Sequence, residues 1–302
     1  MIARSLLWSF IFFLLSSTTY AAEVHTEKGV NPKTAKRWTN ALEHASFGST
    51  SWIYKQRQPD RLHVSGRRDA ILMVPSSSDP SSITLVVWFH GLGGFKDKTF
   101  RHRLMPQMNY IVEGGNSVAL VVPEMPWSIN TRTPGSRQGK VWQKQGELYR
   151  FISKVKLRLQ RWAFKVHNTK LGEVRLVFVG HSAGGSAIKS SAIEGSLCRL
   201  KPESVIFSDA SYGQWLDKAW RGCLKNASEV DLHILVRRRD KPHRNAERLM
   251  RVFRSELTPS RVFYQVLHRK HWSHTHIGDN ALIISDIFPI GCYQNDLYKA
   301  FR

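Results

Sequence analysis

The chain is poor in cysteine, poor in acidic residues and, beyond its N-terminus, without a long apolar run. Only three of its 302 residues are cysteine, Cys198, Cys223 and Cys292. So few exclude a disulfide scaffold, and none of them sits at the spacing of a metal site. In an oxidising compartment an odd count leaves one disulfide and one free thiol, with Cys198–Cys223 the first pairing to expect. No segment after the N-terminus is long and apolar enough to span a bilayer. No internal repeat, low-complexity tract or linker divides the chain.

The shortage of acid is larger. Against 45 Lys+Arg stand 23 Asp+Glu, a formal net charge of +22. Such a field attracts polyanions: nucleic acid, anionic lipid headgroups or acidic cell-wall polymers. No nucleic-acid-binding motif accompanies the charge, so no specific nucleic-acid partner is expected. Part of the charge is a solvated helix face. Between Glu147 and Val166, residues Leu148, Phe151, Ile152, Val155, Leu159, Trp162, Ala163 and Val166 fall at helical spacing. Lys154, Lys156, Arg158, Arg161 and Lys165 occupy mostly the other side.

At the N-terminus Arg4 precedes an apolar stretch from Leu6 to Leu15, followed by small residues up to Ala21. A basic start, a short apolar middle and small residues before the cut describe a secretory signal peptide cleaved after Ala21, with an uncleaved anchor as the alternative. The expected organisation is a signal peptide over 1–21, an irregular lead-in over 22–60 and one α/β domain over 61–302. The mature protein is expected to be secreted or periplasmic. About 280 residues suffice for a substantial core.

Strands are expected at Asp69–Val74, Ile83–Phe89, Ser117–Val122, Val174–Val179, Ser204–Phe207, Leu232–Val236 and Arg261–Leu267. Helices are expected at Thr99–Glu113, Glu147–Val166, Ala183–Leu197, Arg244–Leu257 and Asp279–Ile287. Strands rich in Val and Ile that alternate with helices imply an α/β fold, a mostly parallel sheet with helices on both faces. The stretch Asn130–Gln145 reads as a long basic loop.

The most informative segment is Gly180-His181-Ser182-Ala183-Gly184, directly behind the apolar run Val174–Val179. A buried strand that breaks into G-x-S-x-G and then a helix of small residues is the sequence form of a nucleophile elbow. Glycines flanking the serine let the chain turn sharply and let the helix approach the strand. Ser182 then sits at the strand tip, with the backbone N–H of Ala183 facing a developing oxyanion. Upstream, the strand Val86–Phe89 runs into His90-Gly91-Leu92-Gly93-Gly94. Downstream, Leu267–His276 supplies His268, His271, His274 and His276 ahead of a helix.

With these three segments in the order Ser…Asp…His, the chain resembles the α/β-hydrolase fold family over roughly residues 65–290. The resemblance implies a serine hydrolase with an acyl-enzyme intermediate and no cofactor. It casts Ser182 as nucleophile and places the oxyanion hole on the N–H groups of Ala183 and Leu92, with Gly91, Gly93 and Gly94 shaping the turn. It assigns the base to His276, just before the last helix, with His274 close enough to compete and His268 and His271 poorer fits. For the acid, Asp240 stands after the strand Leu232–Val236, the commonest position in the family, and Asp209 stands after Ser204–Phe207, a position that some members use. Asp209 is preferred for its better-defined strand-to-turn context, and both stay open.

Other readings compete. His271, His274 and His276 could form a metal cluster, but the spacing is loose and neither cysteine nor paired carboxylate joins them, so no metal is expected. Ester cleavage is preferred, with a peptidase or amidase acting on envelope material as one alternative and a non-catalytic module docking an anionic polymer as another. Arg237–Arg239, with Arg132, Arg137, Lys140 and Lys144, could rim the site and favour an anionic or envelope-derived small substrate. Trp127, Trp142, Tyr212 and Trp215 could line its pocket.

Overall fold

The computed structural model describes residues 56–57, 70–75, 77–92, 104–123, 125, 140–252 and 261–288. The expected signal peptide, almost all of the lead-in, Gly93, Gly94, Arg132, Arg137, Trp127 and Cys292 lie outside the described residues.

Among the described residues eight strands form one sheet: β1 (Gln56–Arg57), β2 (Ala70–Met73), β3 (Ser82–Phe89), β4 (Val118–Pro123), β5 (Glu173–His181), β6 (Ser204–Ser208), β7 (Asp231–Arg237) and β8 (Val262–Leu267). Their order across the sheet is β1-β2-β4-β3-β5-β6-β7-β8. β2 runs antiparallel to β1 and β4, and every pairing from β4 through β8 is parallel. This order, with an antiparallel start and a parallel remainder, is that of the α/β-hydrolase fold.

Between the strands lie α1 (Met105–Glu113), α2 (Glu147–His167), α3 (Gly185–Glu194), α4 (Ser196–Arg199), α5 (Trp215–Gly222), α6 (Lys241–Val252), α7 (His274–Asp279) and α8 (Ala281–Ile284). The two-residue period of a strand sends alternate side chains to opposite faces. In β3, Leu85, Val87 and Phe89 therefore join one core with Phe151, Leu159 and Trp162 of α2 and Ile188 of α3. Val86 and Trp88 join the other, with Met105 and Met108 of α1 and Ile277 and Leu282 of α7 and α8. Both faces of the central strands are covered, which is why their sequences are nearly unbroken runs of Val, Ile, Leu and Phe.

The strand order also sets where a site can form. From β3 the chain moves to β4 on one side and returns to β5 on the other. At such a reversal the segments leaving the carboxyl ends of neighbouring strands diverge and open a crevice. The segments leaving β3 and β5 are His90-Gly91-Leu92 and the elbow around Ser182.

Several boundaries differ from expectation. The helix expected over Ala183–Leu197 ends at Glu194, because Gly195 turns left-handed (φ 91°), and α4 follows. In place of one helix over Asp279–Ile287 there are two: α7 begins earlier, at His274, where the Ser273 hydroxyl accepts from the His276 N–H and caps it, and α8 ends at Ile284. Val166, expected on the apolar stripe of α2, is exposed. Cys198 on α4 and Cys223 just past α5 form a disulfide, as expected. Closing a loop of 25 residues is worth about 3 kcal/mol in the chain-entropy picture.

Candidate active site

β5 ends at His181, and Ser182 adopts φ 53°, a left-handed conformation that a non-glycine residue holds only under constraint. The constraint is close packing behind it. A Cβ at Gly184 would overlap the carbonyl oxygen of Phe89 at the end of β3, so only glycine lets the helix start seat against that strand. Gly185 is packed as tightly: its Cβ would come within 2.7 Å of the Ala210 carbonyl oxygen, in the turn after β6. The elbow is thus wedged between the ends of β3 and β6, and Ser182 stands at its tip, half-buried.

The turn after β3 comes alongside. Gly91 is buried so near Ser182 that an added Cβ would lie 3.0 Å from the serine Cβ. His90 holds this turn. Burial pushes its imidazole down to about 4, so it stays neutral at physiological pH. Its Nδ1 bonds the Gly91 carbonyl at 2.7 Å, and its Nε2 accepts from the Met125 N–H at 3.1 Å. Nε2 must therefore carry the lone pair and Nδ1 the proton. Because Gly91 C=O and Leu92 N–H belong to one planar trans peptide, fixing the carbonyl also fixes the direction of that N–H. Leu92 itself is exposed, and Ala183 is buried at the first turn behind the serine.

Of the two aspartates, Asp209 meets a histidine. It directly follows β6, is 1 % exposed, and its N–H donates to the Leu235 carbonyl at 2.7 Å. One carboxylate oxygen accepts from the Arg237 N–H at 3.2 Å, and the other bonds Nδ1 of His274 at 2.6 Å. With Nδ1–H given to the carboxylate, the basic nitrogen of His274 is Nε2. Asp240 is occupied otherwise. Arg237 bonds one of its oxygens, and Arg269 lies 3.7 Å from the other.

His276 and His274 share α7 but not an environment. The ring of His276 is exposed, and the residue serves the helix through its backbone, donating to Ser273 and accepting from Asn280. His268 and His271 are exposed on the preceding turn, their rings 5.9 Å apart. Among the described residues no group of three histidine, cysteine or acidic side chains is placed to hold a metal ion.

One residue near the serine had no role in the sequence reading. It is His181: its Nε2 bonds the carbonyl of His274 at 3.1 Å, and the two rings lie 4.7 Å apart. A Cβ at Gly278 would come within 2.6 Å of the His181 ring, so α7 rests directly on it. The residue next to the nucleophile thus tethers the segment that carries His274. Tyr212, read from the sequence as an aromatic that could line the pocket, packs its ring against Trp215 at 5.7 Å. Trp142 is wholly buried against Phe89 and Phe151, a core residue rather than a pocket wall.

At this same end of the sheet Arg238, Arg239, Lys241, Arg269 and Lys270 are all exposed.

No protein-family model and no curated protein matches the chain. Among solved structures it resembles an enterobactin hydrolase bound to DFP, at 15 % identity over 82 % of this chain and 97 % of that one (TM-score 0.48). It also resembles an S-formylglutathione hydrolase from Staphylococcus aureus, at 11 % identity over 78 % and 96 % (TM-score 0.47). An esterase B from Lactobacillus rhamnosis overlaps at 15 % identity over 89 % and 95 % (TM-score 0.44). These overlaps are loose, and the fold assignment rests on the strand order and the elbow instead.

Proposed function

We propose that the chain is an exported serine hydrolase that cleaves esters through an acyl-enzyme, with Ser182 as nucleophile, His274 as base and Asp209 as acid. The observation that carries this reading is the 2.6 Å bond from the buried Asp209 carboxylate to the partly exposed His274, on a sheet whose central elbow holds Ser182 in a left-handed turn. In the first half-reaction Ser182 Oγ attacks the ester carbonyl carbon as its proton passes to Nε2 of His274. The imidazolium formed is stabilised by the Asp209 carboxylate and then protonates the departing alcohol. The carbonyl oxygen, now negative, is met by the N–H groups of Ala183 and Leu92, each worth about 3 kcal/mol of barrier. Water then repeats the sequence on the acyl-enzyme.

Export is supported by the basic-apolar-small N-terminal pattern and by the Cys198–Cys223 disulfide, which an oxidising compartment would preserve. The exposed cations near His274 favour an ester whose acyl part is anionic. Asp240 beside them is paired with Arg237 and lies 3.7 Å from Arg269, and Asp209 is held by His274, which leaves Arg238, Arg239, Lys241 and Lys270 to set the local field.

The test compares a neutral p-nitrophenyl ester with its succinate half-ester at low and physiological salt. Ser182-dependent turnover is expected for both. For the anionic ester alone, kcat/KM should fall as salt screens the cations. Turnover of neither ester, or turnover surviving in Ser182→Ala, contradicts the hydrolase reading. A salt response shared by both esters contradicts the anionic one.

A further inference from the structure

We propose that His181 is a positioning residue: its imidazole locks the start of α7 against the nucleophile elbow and so sets where the base His274 stands relative to Ser182. The inference rests on Ser182 and His274 being nucleophile and base, and it adds a group that the triad does not contain. His181 is the last residue of β5 and is joined by its peptide bond to Ser182. A carbonyl can only accept, so its Nε2 carries the proton that bonds the His274 carbonyl at 3.1 Å. The two rings lie 4.7 Å apart at an angle of 31°, and Gly278 of α7 leaves free the space that the His181 ring fills. From the turn after β3, Gly91 comes up to the same ring: a Cβ there would lie 3.4 Å from His181 Nδ1. One imidazole thus stands among the oxyanion turn, the elbow and the segment that bears the base.

Attachment of α7 to the sheet does not depend on this bond. Ser208, at the end of β6, donates its hydroxyl to the Ile277 carbonyl at 3.1 Å, and the Ile277 side chain is fully buried in the core. Both anchors act three residues beyond His274. At His274 itself the ring is held by Asp209 through Nδ1 and the backbone by His181. A ring held through one nitrogen alone can swing about that bond. With the backbone carbonyl fixed as well, the swing is removed and Nε2 keeps one direction. Precision of this kind matters, because displacing a reacting group by about 1 Å can cost about 100-fold in rate. His181 exchanges no proton with the substrate: the Ser182 proton goes to His274 Nε2, and His181 keeps its own.

Three variants separate the hydrogen bond from the packing. His181→Phe keeps a ring beside Gly278 and removes the donor; His181→Gln gives up the ring and keeps an N–H at similar reach; His181→Ala removes both. With a p-nitrophenyl ester, kcat should fall by about 10- to 100-fold in His181→Phe and His181→Ala at unchanged KM, and His181→Gln should recover most of it. Melting temperatures should move little, since Ser208 and Ile277 still hold α7. The low-field NMR resonance of the proton between Asp209 and His274 should broaden in His181→Phe and sharpen again in His181→Gln. Wild-type kcat in His181→Phe would overturn the proposal, as would a loss in His181→Gln as large as that in His181→Ala. A cooperative melt lost in His181→Phe would also overturn it, by making the residue a support of the fold instead. If wild type itself neither turns over the ester nor takes up a fluorophosphonate, the hydrolase reading fails first and His181 falls with it; labelled wild type with an indifferent His181→Phe removes His181 alone.

Discussion

His274→Ala should lower kcat for ester hydrolysis by about 10,000-fold or more, while His276→Ala stays close to wild type. The two histidines stand two residues apart on one short helix and differ in what surrounds them. His274 gives its Nδ1 proton to a buried carboxylate, and its backbone carbonyl is held by the residue preceding Ser182. Removing its ring removes the only base assigned to the serine proton. His276 presents an exposed ring, and the bonds it makes to Ser273 and Asn280 come from its backbone, which alanine also supplies. Steady-state kinetics on both variants, with melting curves to verify folding, check this. Equal losses in the two, or a larger loss in His276→Ala, would contradict the assignment of the base.

Asp209→Asn should cost about 10,000-fold in kcat with little loss of structure. An asparagine retains one oxygen to accept the Arg237 N–H, but its amide would donate to His274 Nδ1, moving the ring proton to Nε2, where a lone pair is needed. Asp209→Ala should in addition destabilise the fold, because the Arg237 N–H and the His274 Nδ1–H would each lose a partner, at about 1–3 kcal/mol for a buried group. Asp240→Asn releases Arg237 and Arg269 from a partly exposed ion pair, worth about 1 kcal/mol or less, and should leave kcat near wild type. Kinetics and thermal melts of the three variants distinguish these effects. An inactive Asp240→Asn beside an active Asp209→Asn would reverse the roles.

The contrast between what could and could not be read in the sequence follows the range of the forces involved. The parallel sheet was legible because strands buried on both faces must be nearly continuous apolar runs, as Val174–Val179 and Leu232–Val236 are. The elbow was legible because its glycines answer a local steric demand, seen in Gly184 against the Phe89 carbonyl. The helix α5 was not expected: only Leu216, Ala219 and Trp220 of its eight residues are buried, too few to mark a stripe. β1 is two residues long and carries no pattern at all.

Choosing between His274 and His276, or Asp209 and Asp240, was a different kind of problem. Both histidines lie before the last helix, and both aspartates end a strand, so sequence position cannot separate them. What distinguishes them is non-local: Asp209 and His274 are brought together from 65 residues apart, while Asp240 is taken by the arginine three residues before it. A local hint did exist, since Arg237-Arg238-Arg239 beside Asp240 marked it for an ion pair. The role of His181 had no such hint. It depends on which carbonyl the neighbouring helix presents, and that is settled only when β5 and α7 are packed together.

The most direct measurement is fluorophosphonate labelling of the purified protein, read by intact mass and by mapping of the modified peptide, with Ser182→Ala as the control. The account predicts a single adduct per chain on Ser182, absent from Ser182→Ala. A folded wild type that takes up no label, or an adduct on another residue that persists in Ser182→Ala, would contradict it.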